Sequence, residues 1–221
     1  MKLVFNPEDL PVYATGNENA IPLSHLSAES LRQRFRHPPQ WTPEVADEHL
    51  LSPTSSYKSA AVLIALVMRE EGLTLLLTHR AAHLQHHPGQ ISFPGGRSEA
   101  YDLSAVDTAL REAQEEIGLE RQFVDVIGFL PRYRTATGYD ITPVVSLVQP
   151  PFELIADPLE VASIFEVPLA FLMDGKNHQR REFVLDKGTS SRSFYSMPYE
   201  EHFIWGATAG MLRNLFHLLR A

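Results

Sequence analysis

Hydrophobic and polar positions along this chain follow two periods. "SAAVLIALVMREEGLTLLLTHR" (59–80) holds two apolar runs around Glu70-Glu71-Gly72, which predicts a buried β-hairpin. "FVDVIGFLPRYR" (123–134) and "YDITPVVSLVQ" (139–149) predict two strands joined by a loop that contains Gly138. "VASIFEVPL" (161–169) predicts a short strand, with Pro168 opening a brief helix through Met173. "REFVL" (181–185) and "SFYSMPY" (193–199) predict a hairpin around Lys187-Gly188. Helical spacing appears in three places. "LSAESLRQRFRHPPQW" (26–41) has Ser27 as a cap, Glu29 in its first turn and His37-Pro38-Pro39 as a stop. A second helix starts with Ser104 and Asp107 in a capping-box-like pair and stops at Gly118. "WGATAGMLRNLFHLLR" (205–220) is amphipathic. Strands flanking a central helix, with another helix at the C-terminus, predict an α/β sandwich. Residues 1–26 are set apart as an N-terminal arm, residues 27–221 form one domain, and 42–58 is expected to be loop.

A chain of 221 residues is long enough for one such domain. Its net charge of −8 argues against nucleic acid or a bilayer as a partner, since both polyanions would be repelled. It leaves room for an anionic small molecule, because a local cation cluster can override the global sign. The absence of cysteine excludes disulfides, a thiolate zinc site and a cysteine nucleophile. "MKLVFNPEDLPVYATG" has acids and prolines where a signal peptide needs an apolar run, and "AAVLIALVM" (60–68) is too short to span a membrane. A cytoplasmic protein is expected.

The second helix carries the candidate chemistry. Val106, Leu110, Ala113 and Ile117 share the side expected to face a core, while Glu112, Glu115 and Glu116 share another at i, i+3 and i+4. Like charges at that spacing disfavour a helix by tenths of a kcal/mol per pair. Alone they read as a solvated face. Gly95-Gly96 ahead of them lets a backbone approach closely and expose carbonyls. Arg111 beside them can anchor carboxylates through a bidentate pair. Carboxylates next to an exposed carbonyl form a hard-oxygen site for Mg²⁺ or Mn²⁺, and such ions pair with diphosphate substrates.

At these residues the chain resembles the Nudix hydrolases. Gly96 opens their signature and "REAQEEIGL" (111–119) matches its second half. The first Glu position falls on Asp102, and one extra residue precedes Arg111, so Asp102 is expected to support the site rather than ligate. The segment "LLTHRAAHLQHHPGQISFPGG" (76–96) is similar to the signature of the coenzyme A pyrophosphatase branch, with Gln85 where that pattern carries Arg. "TGYDITPVVSL" (137–147), "EVASIFEVPLAFL" (160–172) and "IWGATAGML" (204–212) also look like that branch.

The resemblance implies a Nudix-type α/β/α sandwich with a mixed central sheet. It also implies metal-dependent hydrolysis of coenzyme A or its derivatives to 4'-phosphopantetheine and 3',5'-ADP, with Mg²⁺ or Mn²⁺ as cofactor. Glu112, Glu116 and Glu115 are the implied metal ligands, with the Gly96 carbonyl completing the sphere. Glu115, Arg111 and Glu160 are the implied catalytic residues: Glu115 a further ligand or base, Arg111 orienting the cluster, Glu160 an acid recruited from a later loop. Arg80, Thr78 and Gly95 are the substrate contacts, Arg80 reading equally as a phosphate contact or a structural ion pair. Glu200-Glu201, beside Tyr199, Phe203 and Trp205, is the alternative late acid. The implied partner is a small diphosphate; a homodimer is compatible.

Two other readings stand beside this one: a Nudix enzyme for another diphosphate such as ADP-ribose, and a non-catalytic nucleotide sensor. His79, His83, His86 and His87 resemble a zinc cluster, but Pro88-Gly89 follows at once and no metalloprotease pattern surrounds them, so they read as polar loop residues. Ser190-Ser191 lacks a nucleophile-elbow setting. Trp41 and Trp205 read as core or interface anchors.

Overall fold

The computed structural model describes residues 6–44, 57–84, 87–185 and 190–221. Most of the loop expected at 42–58, together with Gln85, His86 and the Lys187-Gly188 turn, lies outside the described residues. In chain order the elements are β1 (Val12–Thr15), α1 (Ala28–Arg36), β2 (Lys58–Arg69), β3 (Gly72–Arg80), β4 (Ile91–Ser92), β5 (Gly95–Arg97) and α2 (Ala105–Ile117). They continue with β6 (Val124–Phe129), β7 (Tyr133–Arg134), β8 (Tyr139–Val148), β9 (Val161–Pro168), α3 (Leu169–Leu172), β10 (Gln179–Leu185), β11 (Ser190–Tyr199), β12 (His202–Trp205) and α4 (Gly206–Arg220).

The apolar runs of β2 and β8 need burial on both faces, and they obtain it in an eight-stranded mixed sheet ordered β4-β3-β2-β8-β6. β5 adds to β2, β7 to β8 and β9 to β3. β2 and β8 run parallel from Lys58↔Tyr139 to Val67↔Val148, while β2 and β3 form the expected antiparallel hairpin. Strand alternation then divides the core. Ala61, Leu63, Ala65 and Val67 of β2 face α2 with Val144 and Val148 of β8. Ile64 and Leu66 face the other way, with Val145, Leu147, Leu31 of α1 and Leu212, Leu215 and Phe216 of α4. Helices cover both faces, so the α/β/α sandwich with a mixed sheet is the observed architecture.

β10, β11 and β12 make a second antiparallel sheet, and β1 from the expected arm is its outer strand. Residues 6–26 lie on the core. Ile21 and Leu26 are buried in it, and Arg181 donates to the carbonyls of Glu8 (2.7 Å) and Leu10 (2.5 Å). Glu18 pairs with Arg213 of α4, which also donates from Nε to Glu44 (2.6 Å). Arg213 Nη1 donates to His178 Nδ1 (2.9 Å), and His178 Nε2 donates to the Leu172 carbonyl (2.8 Å). These two bonds fix His178 as the neutral Nε2–H tautomer, and burial pushes its pKa down to about 4.

The strand expected across 123–134 is interrupted around Pro131 into β6 and β7, because proline cannot donate to the ladder. Among the described residues no helix is long and apolar enough to cross a membrane.

Candidate active site

α2 starts at Ser104, whose hydroxyl accepts from the Asp107 amide (3.1 Å), and ends at Gly118. Ala109, Leu110, Ala113 and Ile117 press into the sheet, with Val106 at the margin. The three glutamates do not share one environment. Glu115 is exposed, Glu112 half-buried and Glu116 only 3% exposed. Glu116 follows Ala109 by seven positions and Ala113 by three, so it shares their seam, where small neighbours admit its carboxyl.

Gly95 and Gly96 provide the floor. Gly95 has φ +152, and a Cβ there would meet the Ala61 carbonyl at 2.4 Å and Val62 Cα at 2.6 Å. A Cβ on Gly96 would lie 2.5–2.7 Å from the carboxyl atoms of Glu112. Only glycine admits both the β2 backbone and the glutamate. The Gly95 amide donates to Glu116 Oε2 (3.1 Å), and the Arg97 carbonyl accepts from Arg111 Nη2 (3.1 Å). Gly96 lies in register with Ala61, between ladder bonds from Leu63 to Pro94 (2.8 Å) and from Ser98 to Ser59 (3.0 Å). Strand alternation therefore turns the main-chain groups of Gly96 toward β2 and those of Gly95 toward the glutamates. Of the two glycines, it is therefore Gly95 whose main-chain groups face the glutamates.

Arg111 ties the site together. Its Nε and Nη2 grip Asp102 at 3.0 and 2.9 Å, and its Nη1 donates to both Glu112 and Glu115 at 2.8 Å. Asp102 also accepts from the Glu99 amide and the Thr108 hydroxyl, each at 2.9 Å. The Arg111 guanidinium, with these bonds, holds the Asp102 carboxyl far below the usual carboxylate range. Glu116 is pushed the other way, to about 7, chiefly by burial and further by the charges of Glu160 and Glu112. Burial also raises Glu112 despite its bond to Arg111, and Glu115 and Glu160 add to the rise. Glu160 is exposed in the turn before β9, with its carbonyl accepting from the Ala81 amide (2.8 Å), and its charge adds to the rise at Glu112 and Glu116.

Arg80, at the end of β3, places Nη1 3.6 Å from Glu116 Oε1. Thr78, expected as a substrate contact, is 1% exposed and its hydroxyl meets the Ser92 carbonyl (3.2 Å) and hydroxyl (3.1 Å). Glu200-Glu201 sits in the β11–β12 turn of the second sheet. The histidines separate: His79 bonds the Gly89 carbonyl (2.8 Å), His83 the Leu159 carbonyl (3.0 Å) and His87 the Gln90 side chain (2.9 Å). Trp41 packs partly against the core, and Trp205 stands edge-on to Phe194.

The donor set fits a hard divalent cation. It consists of oxygen atoms only, two of its carboxyls are raised by burial and mutual repulsion, and a dication would offset both. Among the described residues no three acidic or histidine side chains already converge on one point, since Arg111 engages Glu112 and Glu115.

The NUDIX domain family matches residues 58–184. The chain is 44% identical over 165 residues to the "Uncharacterized Nudix hydrolase NudL" of Escherichia coli K12, covering 73% of this chain and 83% of NudL. Among solved structures it is similar to the M. smegmatis Nudix hydrolase RenU, with 21% identity over 52% of this chain and 73% of that one and a TM-score of 0.44. It is also similar to the NUDIX domain of Shewanella oneidensis NrtR complexed with ADP ribose, with 19% identity over 56% and 82% of the two chains and a TM-score of 0.41. The protein belongs to the Nudix hydrolases, enzymes of small nucleotide derivatives that generally use divalent cations such as Mg²⁺ or Mn²⁺.

Proposed function

We propose that this Nudix hydrolase cleaves the diphosphate of coenzyme A and its derivatives, giving 4'-phosphopantetheine and 3',5'-ADP. The observation that carries the reading is the contact of Arg80 with Glu116. Arg80 belongs to the segment similar to the coenzyme A pyrophosphatase signature, and that segment runs through β3 and β4 directly into Gly95-Gly96. The contact of Arg80 with Glu116 supports a link between the substrate-class segment and the carboxylate cluster.

Glu112 and Glu116, with Glu115 and the Gly95 carbonyl, would hold Mg²⁺ or Mn²⁺. When bound, the ion supplies charge neutralisation for the diphosphate and a more acidic water. Arg111 keeps its two bonds to Asp102 while Nη1 releases Glu112 and Glu115, so the carboxylates are delivered without rebuilding the helix. Arg80, paired only loosely with Glu116, swings to a substrate phosphate. Glu160 accepts the proton of the attacking water as that oxygen bonds to phosphorus and the bridging P–O bond breaks. The cytoplasm supplies both the cation and the substrate.

Rates on a panel of coenzyme A, acyl-coenzyme A, ADP-ribose and NADH, compared as kcat/KM with Mg²⁺ or Mn²⁺, test the substrate class. Coenzyme A or an acyl form should lead; ADP-ribose leading would overturn the choice of substrate while leaving the hydrolase intact.

A further inference from the structure

A second cleft lies across the β3–β4 hairpin from the carboxylates. His79 and Arg80 are successive residues, yet Arg80 points to Glu116 and His79 lines this cleft of about 300 Å³. One wall is the hairpin itself, through Gln90 and the Gly89 backbone. The other is β12, through Phe203 and Trp205. Most of that second wall lies outside residues 58–184, the part of the chain shared with the family at large. The volume is at the lower end for small-molecule sites.

The chemistry of the walls selects an occupant. Rings and amide groups line the cleft, while Glu8 and Glu201 stand at it with negative charge. An adenosine 3'-phosphate placed there would meet two carboxylates. A thin, uncharged chain with amide groups meets rings for its apolar parts and Gln90, His79 and peptide groups for its polar ones. Resting on the coenzyme A reading above, we infer that this cleft holds the uncharged, amide-linked pantetheine arm of the substrate while its diphosphate lies at Glu112 and Glu116. β12 and the β3–β4 loop are thereby specificity elements, and the second sheet sets which diphosphate is preferred.

Trp41 and Trp205 are the two tryptophans of the chain, so Trp41→Phe leaves Trp205 as the sole indole reporter. In that background, pantetheine, which carries no phosphate, should change Trp205 emission saturably without any metal, and 3',5'-ADP should not. Gln90→Trp, which narrows the cleft from a loop, and Trp205→Ala, which removes a wall, should each lower the preference for coenzyme A over ADP-ribose, as a ratio of kcat/KM, by about tenfold. Saturable 3',5'-ADP binding with no pantetheine response, or an unchanged preference in both variants, would overturn the assignment. Failure of the coenzyme A reading shows separately, as absence of coenzyme A hydrolysis by the wild type; the pantetheine titration still decides whether the cleft binds the arm.

Discussion

Asp102 and Arg111 meet through a two-pronged bond, Nε to Oδ1 at 3.0 Å and Nη2 to Oδ2 at 2.9 Å, nine residues apart in the chain. The extra residue ahead of Arg111 makes up for the shorter acid: Asp102 reaches the guanidinium from a turn closed by its own amide on the Glu99 carbonyl (3.1 Å). The remaining nitrogen of Arg111 is thereby aimed at Glu112 and Glu115. Asp102 is thus a positioning residue. Asp102→Ala should weaken the apparent metal affinity by about 10–100-fold, with a smaller effect on kcat at saturating metal. Activity titrated against Mn²⁺ checks this, and Asp102→Glu should recover part of the loss.

Burial of the Glu116 carboxyl carries a stability cost. Its pKa is raised to about 7, so the folded protein resists its ionisation, and stability falls as pH rises from the unfolded value of 4.5 through 7. Glu116→Gln removes that titration. In metal-free buffer at pH 8 the variant should be more stable than wild type by about 1–3 kcal/mol, and its stability should be flatter between pH 5 and 8 in urea unfolding.

Metal binding should reverse the same cost. Added Mg²⁺ or Mn²⁺ should raise the wild-type melting temperature in a concentration-dependent way, by the equivalent of about 2.7 kcal/mol at a hundredfold excess over Kd. Glu116→Gln should show little of this gain in thermal scans, and chelation should abolish hydrolysis in both proteins.

The Arg213 network predicts acid sensitivity in two windows. His178 is held neutral with its pKa down to about 4 from 6.5, so its contribution is present above pH 6.5 and is lost as pH falls toward 4. Burial opposes the charge on Glu44, but bonds from His217, Tyr195 and Arg213 outweigh it and bring the carboxyl to about 2; its contribution is lost between about 4.5 and 2. Chemical denaturation across pH 2–8 should show both steps, and a His178→Gln variant should lack the upper one. Arg213→Ala should cost about 3–5 kcal/mol, because it removes the cation that pairs with Glu18 and donates to the buried His178, while Glu44 keeps His217 and Tyr195.

Long amphipathic periods made α1, α2, α4 and the β2–β3 hairpin readable, and spacing alone put Arg111 beside the glutamates. β1 and β5 have four and three residues and exist through pairing with β10 and β2, far away in the chain, which no local pattern encodes, while β4 and β12 are too short to show an alternation of their own. The i, i+3, i+4 rule grouped Glu112, Glu115 and Glu116, yet the same helix geometry set Glu116 in the seam of Ala109 and Ala113. The alternation of β5 decided between the two glycine carbonyls and needed the register with Ala61. Arg213, buried on α4, found its partners in Glu18, Glu44 and His178, all far away in sequence.

Metal-dependent cleavage of the coenzyme A diphosphate is the reaction proposed for the Glu112–Glu116 site. The most direct measurement is chromatographic product analysis of coenzyme A incubated with wild type and Glu116→Gln, each with Mg²⁺ or Mn²⁺ and with chelator. Wild type with metal should release 3',5'-ADP and 4'-phosphopantetheine in equal amounts, and Glu116→Gln should be slower by at least about a hundredfold. Intact coenzyme A after incubation with wild type and metal, or equal rates for the two proteins, would contradict the account.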